Sequence, residues 1–484
     1  MIDIILVFGY LLLTLILGIW VGNKVNCSED YKTGGKQYSA WVIFATLSAS
    51  YIGGGFTFGL AEKTFLFGFV YIIAIWGFSL KEILIAIFIA PRMQYFQNVF
   101  TVGDIMEQAY GKRTKIITGI ASVLVCSGIV GAQVSACGSI IHTFLGPPPA
   151  IGALLAGSIV IIYASLGGLK SVVAVDILHF GLFAIILPLV LYFGIQEVGG
   201  ITPLLTALPD PHTELFSSTD FKTFLVLFLS FFLGETLIPP YIQRLLIGKT
   251  HQATKQGTLW SGIFSIFFFL IIGSIGMVTA ILAPTLPAAS ALTYIIQTAM
   301  PIGLKGLAIA AMLAVIMSSV DSFLNSIALT FSQDILKPLG LLNKTKNHEL
   351  LVYRVITLMI GSMAITISLS LSSSIDILLY SYQFWTPFIL TPFVAAIFGI
   401  RSSEKTFLIS AIASIISVLI WKAFSPHLLV FFIDNALINP KLSVSFIDGA
   451  LEGTIFGVIV NSLTFALCHW FFNGRELQQN KLII

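Results

Sequence analysis

Two stretches that an unbroken membrane helix does not tolerate constrain this chain most. The first is Ala49-Ser50-Tyr51-Ile52-Gly53-Gly54-Gly55, inside an apolar run that begins near Trp41. The second is Gly234-Glu235-Thr236-Leu237-Ile238-Pro239-Pro240, inside a run that begins near Phe221. Glycine loses most backbone freedom in a helix, and proline removes a donor and clashes with the preceding turn. Backbone groups freed at membrane depth are tolerated only where they face a cavity or protein. Broken segments at corresponding places in two halves of a chain point to a transporter's binding site at the bilayer midplane.

Composition fixes the solvent. The chain has 484 residues, 57% hydrophobic and 10% charged, with mean hydropathy +0.98. Soluble domains carry about 25% charged residues, so this is a polytopic membrane protein whose partner is the lipid bilayer. A net charge of +3 gives no nucleic-acid signature, and no obligate protein partner is evident. Cys27, Cys126, Cys137 and Cys468 lack metal-ligand spacing and the seven histidines are scattered, so no transition metal is expected. Residues Met1 to Trp20 are apolar, lack a basic leader and precede Lys24, which reads as a retained first helix with the N-terminus outside.

Windows of about 20 apolar residues give thirteen expected spans. They cover 2–22, 40–61, 66–91, 115–143, 149–168, 174–197, 222–246, 257–284, 304–333, 351–372, 376–399, 405–424 and 447–472. With an outside N-terminus, this count puts the C-terminus in the cytoplasm. The segments then predicted to lie inside, from Lys24 to Lys481 and including Arg244, Lys344, Lys346 and Arg475, hold 19 of the 25 Lys and Arg. That bias supports the orientation in a plasma (inner) membrane. Outside connections are short or acidic, as at Asp210, Glu214 and Asp220. The expected organisation is one membrane transport domain: 1–39 an extra first helix and inside loop, 40–197 and 222–400 two five-helix repeats, 401–484 two peripheral helices and a tail. Each repeat opens with a broken helix and the odd count inverts the second.

The run Ala311 to Ser322 places Ser318 and Ser319 in mid-membrane. A bare sodium ion takes several oxygen ligands. The first break frees the carbonyls of Ala49 and Ile52, and Ser318, Ser319 and the Val315 carbonyl would complete a shell. Serines in membrane helices also back-bond or join helices, and spacing leaves both readings open.

The residues at this point resemble the sodium:solute symporter family over almost the whole chain. The matching stretches are Leu47 to Gly55, Thr101-Val102-Gly103-Asp104-Ile105 with Tyr110-Gly111-Lys112-Arg113, Tyr163 to Val173 leading into Asp176, Tyr241-Ile242-Gln243-Arg244, and Met317 to Ser322 before Leu324-Asn325-Ser326. The glycine triplet and the Met-Ser-Ser-x-Asp-Ser run look most like the choline branch. The resemblance implies the leucine-transporter fold, alternating access driven by sodium, and a sodium site at Ala49, Ile52, Val315, Ser318 and Ser319. It also implies a place for Asp176 on the ion's exit route, whereas Asp176 alone reads equally as an acid favoured at a helix N-terminus. Asp321 either tunes the site or pairs structurally. His179 stands where the motif usually has glutamine, and Val175 where it has threonine, which argues against a second, auxiliary ion site.

Lys81 and Glu82 sit mid-run, where charge is expensive and usually functional. Glu82 shares a helix face with Phe78 and Ser79, and Glu235 lies in the second break. These carboxylates either hold a cationic group of a solute or cancel Lys81. Of the two acids, Glu235 is the expected partner, because adjacent residues point apart. Choline recognition needs several aromatic faces around the amine. Tyr51 and Phe78 are present, but Ile129 and Ile238 replace tryptophans of that branch, so choline itself is not expected. Ser50, Gly53, Gly54, Tyr241, Tyr382 and Trp385 complete the expected substrate or gating set, and Tyr380 and Phe384 neighbour the last two.

The expected function is sodium-coupled import of a small organic solute, an amine, amino acid or carboxylate, with sodium as coupling ion and no organic cofactor. The alternatives are proton coupling through Asp176, Asp321 or Glu235, and a transporter-like solute sensor. No enzyme is expected: the sequence has no HExxH, no paired intramembrane aspartate motif and no base for a serine.

Overall fold

The computed structural model describes residues 1–96, 98–208, 212, 221–342, 346–370, 374–434 and 450–480. Asp210, Glu214, Asp220, Lys344 and Lys481 lie outside the described residues, as do the side chains of Lys346, Tyr380, Tyr382, Phe384 and Arg475. The described residues are helical throughout, with one isolated backbone bridge between Tyr38 and Gly248 in place of any sheet.

In chain order the helices are α1 (Ile2–Gly22), α2 (Ser28–Thr33), α3 (Ala40–Tyr51), α4 (Leu60–Phe67), α5 (Phe69–Leu84), α6 (Val102–Tyr110), α7 (Lys112–Leu145) and α8 (Pro149–Glu197). Then follow α9 (Phe221–Leu233), α10 (Pro239–Leu245), α11 (His251–Leu282), α12 (Leu304–Thr330), α13 (Lys346–Ser370), α14 (Ser374–Ile397), α15 (Glu404–Asp434) and α16 (Ala450–Asn480), with short connecting helices omitted. Among the described residues, nine helices are long and apolar enough to cross a membrane, or ten if the bent pair α3 and α4 is one span. The other runs read from sequence are present as merged or shorter helices. Two of them share α8, one is split into α9 and α10, and one is α14.

Both expected breaks exist. After Tyr51 the chain leaves α3 at Ile52, with φ −80° and ψ 82°, and the two halves of the span meet at 72°. The link re-enters through a π-helical turn, Gly55–Gly59, a form often found at functional sites. At the second break, Leu237 takes a left-handed φ of 55° before Pro239 and Pro240 open α10. A side chain in that region is strained by about 1–2 kcal/mol. Thr236 Oγ1 donates to the Leu233 carbonyl at 2.8 Å, satisfying part of the end of α9.

α8 is 49 residues long but is really two helices meeting at Gly168 (φ 52°, ψ −140°). Only glycine fits there, because a Cβ would stand 2.6 Å from the ring and carbonyl of Tyr31.

Burial shows which helix is central. The apolar window of Leu304–Leu336 is 94% buried, against 28% for Ile2–Gly22 and 22% for Gly453–Phe472. Hydrophobicity gives no drive for helix association in lipid, so close packing of small residues and polar contacts must supply it. Ala308, Ala310, Ala311 and Ala314 let α12 approach α7 and α8, and Ser318 to Ser326 provide the polar contacts.

Candidate ion- and solute-binding site

The first break and α12 meet in a seam of uncharged oxygens. Ser318 Oγ donates to the Ala49 carbonyl at 2.8 Å and to its own-helix Val315 carbonyl at 3.0 Å. Ser319 Oγ reaches the Ser50 carbonyl at 3.2 Å and the Val315 carbonyl at 3.5 Å. Ala49, Ile52, Val315, Ser318 and Ser319 are all buried. Thus Ala49, Val315, Ser318 and Ser319 are brought together, while Ile52 caps the C-terminal end of α3.

Beside this seam lies a small pocket. Its walls include Ser50, Tyr51 and Gly53 from the first break, Glu235 and Ile238 from the second, and Ser319 and Phe323 from α12. The Tyr51 hydroxyl donates to the Glu235 carbonyl at 3.1 Å, tying the two breaks together. Gln133 of α7 was missed by sequence reasoning. It lines the same cavity, and its Oε1 accepts from the Gly54 N–H at 3.3 Å. The available signal was a single amide within a long apolar run, a pattern that membrane energetics marks as functional.

Phe78, Ser79, Glu82 and Tyr241 form a second layer behind that wall. The rings of Phe78 and Tyr241 lie 5.6 and 4.8 Å from Tyr51. Ser79 bonds Ser265 at 2.7 Å, and Glu82 accepts from the Tyr241 hydroxyl at 2.7 Å. Lys81 corrects the expectation that neighbours point apart: its Nζ is 3.9 Å from Glu82 Oε1 and 3.9 Å from the centroid of the Phe78 ring. A long flexible stem lets lysine fold back to its neighbour where a membrane interior offers no water. Trp385 is buried in α14 and is not among the residues lining the cavity.

Next to the seam, where α8, α10 and α12 meet, the chemistry changes from neutral to charged. Asp176 does not open a helix, which corrects the helix N-terminal reading. It lies about two turns past Gly168, wholly buried, with its Oδ2 3.3 Å from the Arg244 guanidinium. The same oxygen accepts from Thr46 and, at 3.4 Å, from Ser50. Arg244, counted from sequence among the inside loop charges, is completely buried and also donates to Ser322. Asp321 accepts from the Tyr163 hydroxyl at 2.6 Å and from Ser322 at 3.1 Å. Gln243 anchors α10 to α12 by accepting from Asn325 at 3.1 Å and Ser326 at 3.0 Å.

A broken helix whose carbonyls meet hydroxyls of the central helix, beside a cavity walled by both breaks, is the architecture of a carrier. The model of the sodium:solute symporter family matches residues 31–414. The chain belongs to this family. The family and its structural neighbours are secondary transporters, and sodium is the coupling ion of this class. Among curated relatives, the sodium/sialic acid symporter SiaT of Proteus mirabilis is 24% identical over 85% of this chain and 88% of its own length. The human high affinity choline transporter 1 is 25% identical over 76% of this chain and 67% of its own. The fold is that of a solved Na+-coupled sialic acid symporter in its substrate-bound outward-open state, with a TM-score of 0.81, 21% identity and 98% of both chains covered.

Proposed function

We propose that this symporter imports a small organic solute together with sodium, by alternating access across the plasma membrane. The sodium ion is held by the carbonyls of Ala49, Ile52 and Val315 and the hydroxyls of Ser318 and Ser319. The observation that carries the reading is the bond from Ser318 to the Ala49 carbonyl, across the break and between helices. Hard cations take oxygen ligands, and an ion placed among these oxygens would tie α3 to α12. With the ion in place, the cavity beside Ser319 and Tyr51 is complete, and its loss frees the two helices to part.

The solute meets Ser50, Tyr51, Gly53 and Glu235, together with Gln133, and polar groups of both signs of hydrogen bonding favour an amine, amino acid or carboxylate over an apolar ligand. Asp176 and Asp321 line the ion's route rather than its shell. Two inverted repeats, 40–197 and 222–400, rock against each other, with the N-terminus outside and the C-terminus cytoplasmic. The test is thermal stability of the purified protein with and without sodium, since a ligand that binds only the folded state raises the melting temperature. Sodium stabilises the wild type, and Ser319→Ala shifts the half-maximal effect to higher sodium. An unchanged sodium dependence in that variant overturns the site.

A further inference from the structure

The wall of the pocket carries one acid and the start of an aromatic cage. Among the described residues that line it, Glu235 is the only acid and there is no lysine or arginine. Tyr51 and Phe56 line it too, and the Phe78 ring stands 5.6 Å from the first and 4.8 Å from the second. Rings so placed are what a quaternary amine needs, because it has no N–H and is held through aromatic faces.

That aromatic wall is already occupied by the chain itself. Lys81 Nζ lies 3.9 Å from the centroid of the Phe78 ring and 5.6 Å from that of Tyr51. It is buried and has no hydrogen bond among the described residues. Its closest acid is Glu82, with Nζ 3.9 Å from Oε1, and the other oxygen of that carboxylate accepts from the Tyr241 hydroxyl at 2.7 Å. Glu235 interacts with the same lysine more weakly. A buried ammonium that hydrogen-bonds nothing and rests against two rings stands where the trimethylammonium of a solute would otherwise go. Its counter-charge is Glu82, behind the wall, and the acid on the wall is Glu235.

We propose that the solute carries a protonated primary or secondary amine, bound through its N–H groups to the Glu235 carboxylate and the Gln133 amide oxygen. Lys81, by covering the Phe78 ring, keeps quaternary amines out. A carboxylate accepts up to about four hydrogen bonds, so Glu235 takes the ammonium whatever else it meets. Gln133 Oε1 accepts from the Gly54 N–H at 3.3 Å and has a second lone pair for the solute. A trimethylated nitrogen brings no donor to either oxygen, and polar groups shut away from water without a hydrogen bond are costly. Sites built to hydrogen-bond a group reject analogues that lack it far more strongly than apolar pockets reject a change of size. The proposal rests on the sodium-symport reading and names the solute's class within it.

The experiment measures melting of the full chain in lipid nanodiscs at saturating sodium. The probes are small primary amines and amino acids, each beside its hydroxy and its trimethylated counterpart: ethanolamine with ethylene glycol and choline, glycine with glycolate and trimethylglycine. Simple sugars and nitrogen-free carboxylates complete the set. At least one primary amine is expected to stabilise the wild type, with both counterparts needing more than about tenfold higher concentration. Glu235→Gln raises the half-maximal concentration of that amine by more than about tenfold and leaves sodium stabilisation in place. Lys81→Met with Glu82→Gln neutralises both members of the buried pair together, which is tolerated better than removing one. In that double variant the gap between the trimethylated probe and its parent amine narrows by about tenfold, a switch that a merely structural lysine would not produce. The proposal is overturned if only nitrogen-free probes stabilise the wild type, if no probe does, or if a trimethylated probe matches its parent amine. It is equally overturned if Glu235→Gln binds the amine as the wild type does, or if the folded double variant keeps the wild-type selectivity. The wild-type series alone decides the matter if the double variant does not fold. Absence of sodium stabilisation before any probe is added removes the sodium reading itself, a separate failure.

Discussion

Within little more than one turn of α12, two polar layers are built on opposite principles. The Ser318–Ser319 layer offers only hydroxyls and carbonyls, so it carries no net charge and has room in its chemistry for a cation that comes and goes. The Asp176–Asp321 layer carries formal charges and keeps its own resident cation, Arg244, on a side chain. Neutral oxygens bind an ion without holding it permanently, whereas fixed carboxylates in the membrane need a partner at every moment. On the proposed reading, the comparison separates a site for a passenger from a piece of permanent structure.

The sharpest way to break it is to remove the resident cation. Arg244→Met leaves Asp176 buried against Thr46 and Ser50 with no opposite charge. Truncating one member of a buried ion pair costs about 3–5 kcal/mol, while replacing both is often tolerated. Arg244→Met is therefore expected to lower the melting temperature strongly or abolish folded expression, and the double variant Arg244→Met with Asp176→Asn to recover most of it. Equal stability of the single variant and the wild type would make the charged layer dispensable.

Much of this was legible in advance, for specific reasons. Gly53-Gly54-Gly55 and Pro239-Pro240 mark the two breaks because backbone conformation is written in those residue types, and Ser318-Ser319 was found because hydroxyls stand out in an apolar run. Arg244 was misplaced, since sequence shows a basic residue near a helix end and cannot show that Asp176, 68 positions earlier, folds back onto it. The kink at Gly168 has the same origin. Nothing in Leu166-Gly167-Gly168-Leu169 says that Tyr31 packs so close that a Cβ at Gly168 would stand 2.6 Å from it. The His179 environment was invisible for a like reason, as the Asp176 and Asp321 carboxylates near it come from its own helix and from α12.

In the neutral layer the expected effects are smaller and fall on the ion rather than the fold. Ser318 makes the shorter bonds, to Ala49 and Val315. Losing a donor of this kind costs about 1.5 kcal/mol at most, roughly tenfold in an equilibrium constant. Ser318→Ala is expected to raise the sodium needed for half-maximal stabilisation by roughly that factor, and Ser319→Ala, with its longer bonds, by about two- to threefold. The reverse order would mean that the ion sits nearer the Ser50 carbonyl than the Ala49 carbonyl.

Gly53→Ala probes the same layer from the other side. The added Cβ would stand 2.9 Å from both Ser319 Oγ and Gln133 Nε2. Both are ends of side chains that can shift, so the fold survives, but the Ser319 hydroxyl moves off the Ser50 carbonyl. The expected readout is a sodium requirement raised about as much as in Ser319→Ala, with sodium-free melting changed by less than about 1 kcal/mol. A collapse of sodium-free stability would place Gly53 in the permanent scaffold.

The smallest effect belongs to the outer helices, and it tests whether the two layers are special at all. Ile420 of α15 is 50% exposed, on a helix whose apolar window is only a third buried. Lipid solvates an exposed isoleucine about as well as protein does, so truncation removes little packing. Ile420→Ala is expected to change stability by no more than about 0.5 kcal/mol and to leave the sodium midpoint where it was. A shift of that midpoint would show that α15 reaches the ion through α14, and that the seam is not insulated from the periphery in the way its burial in α12 implies.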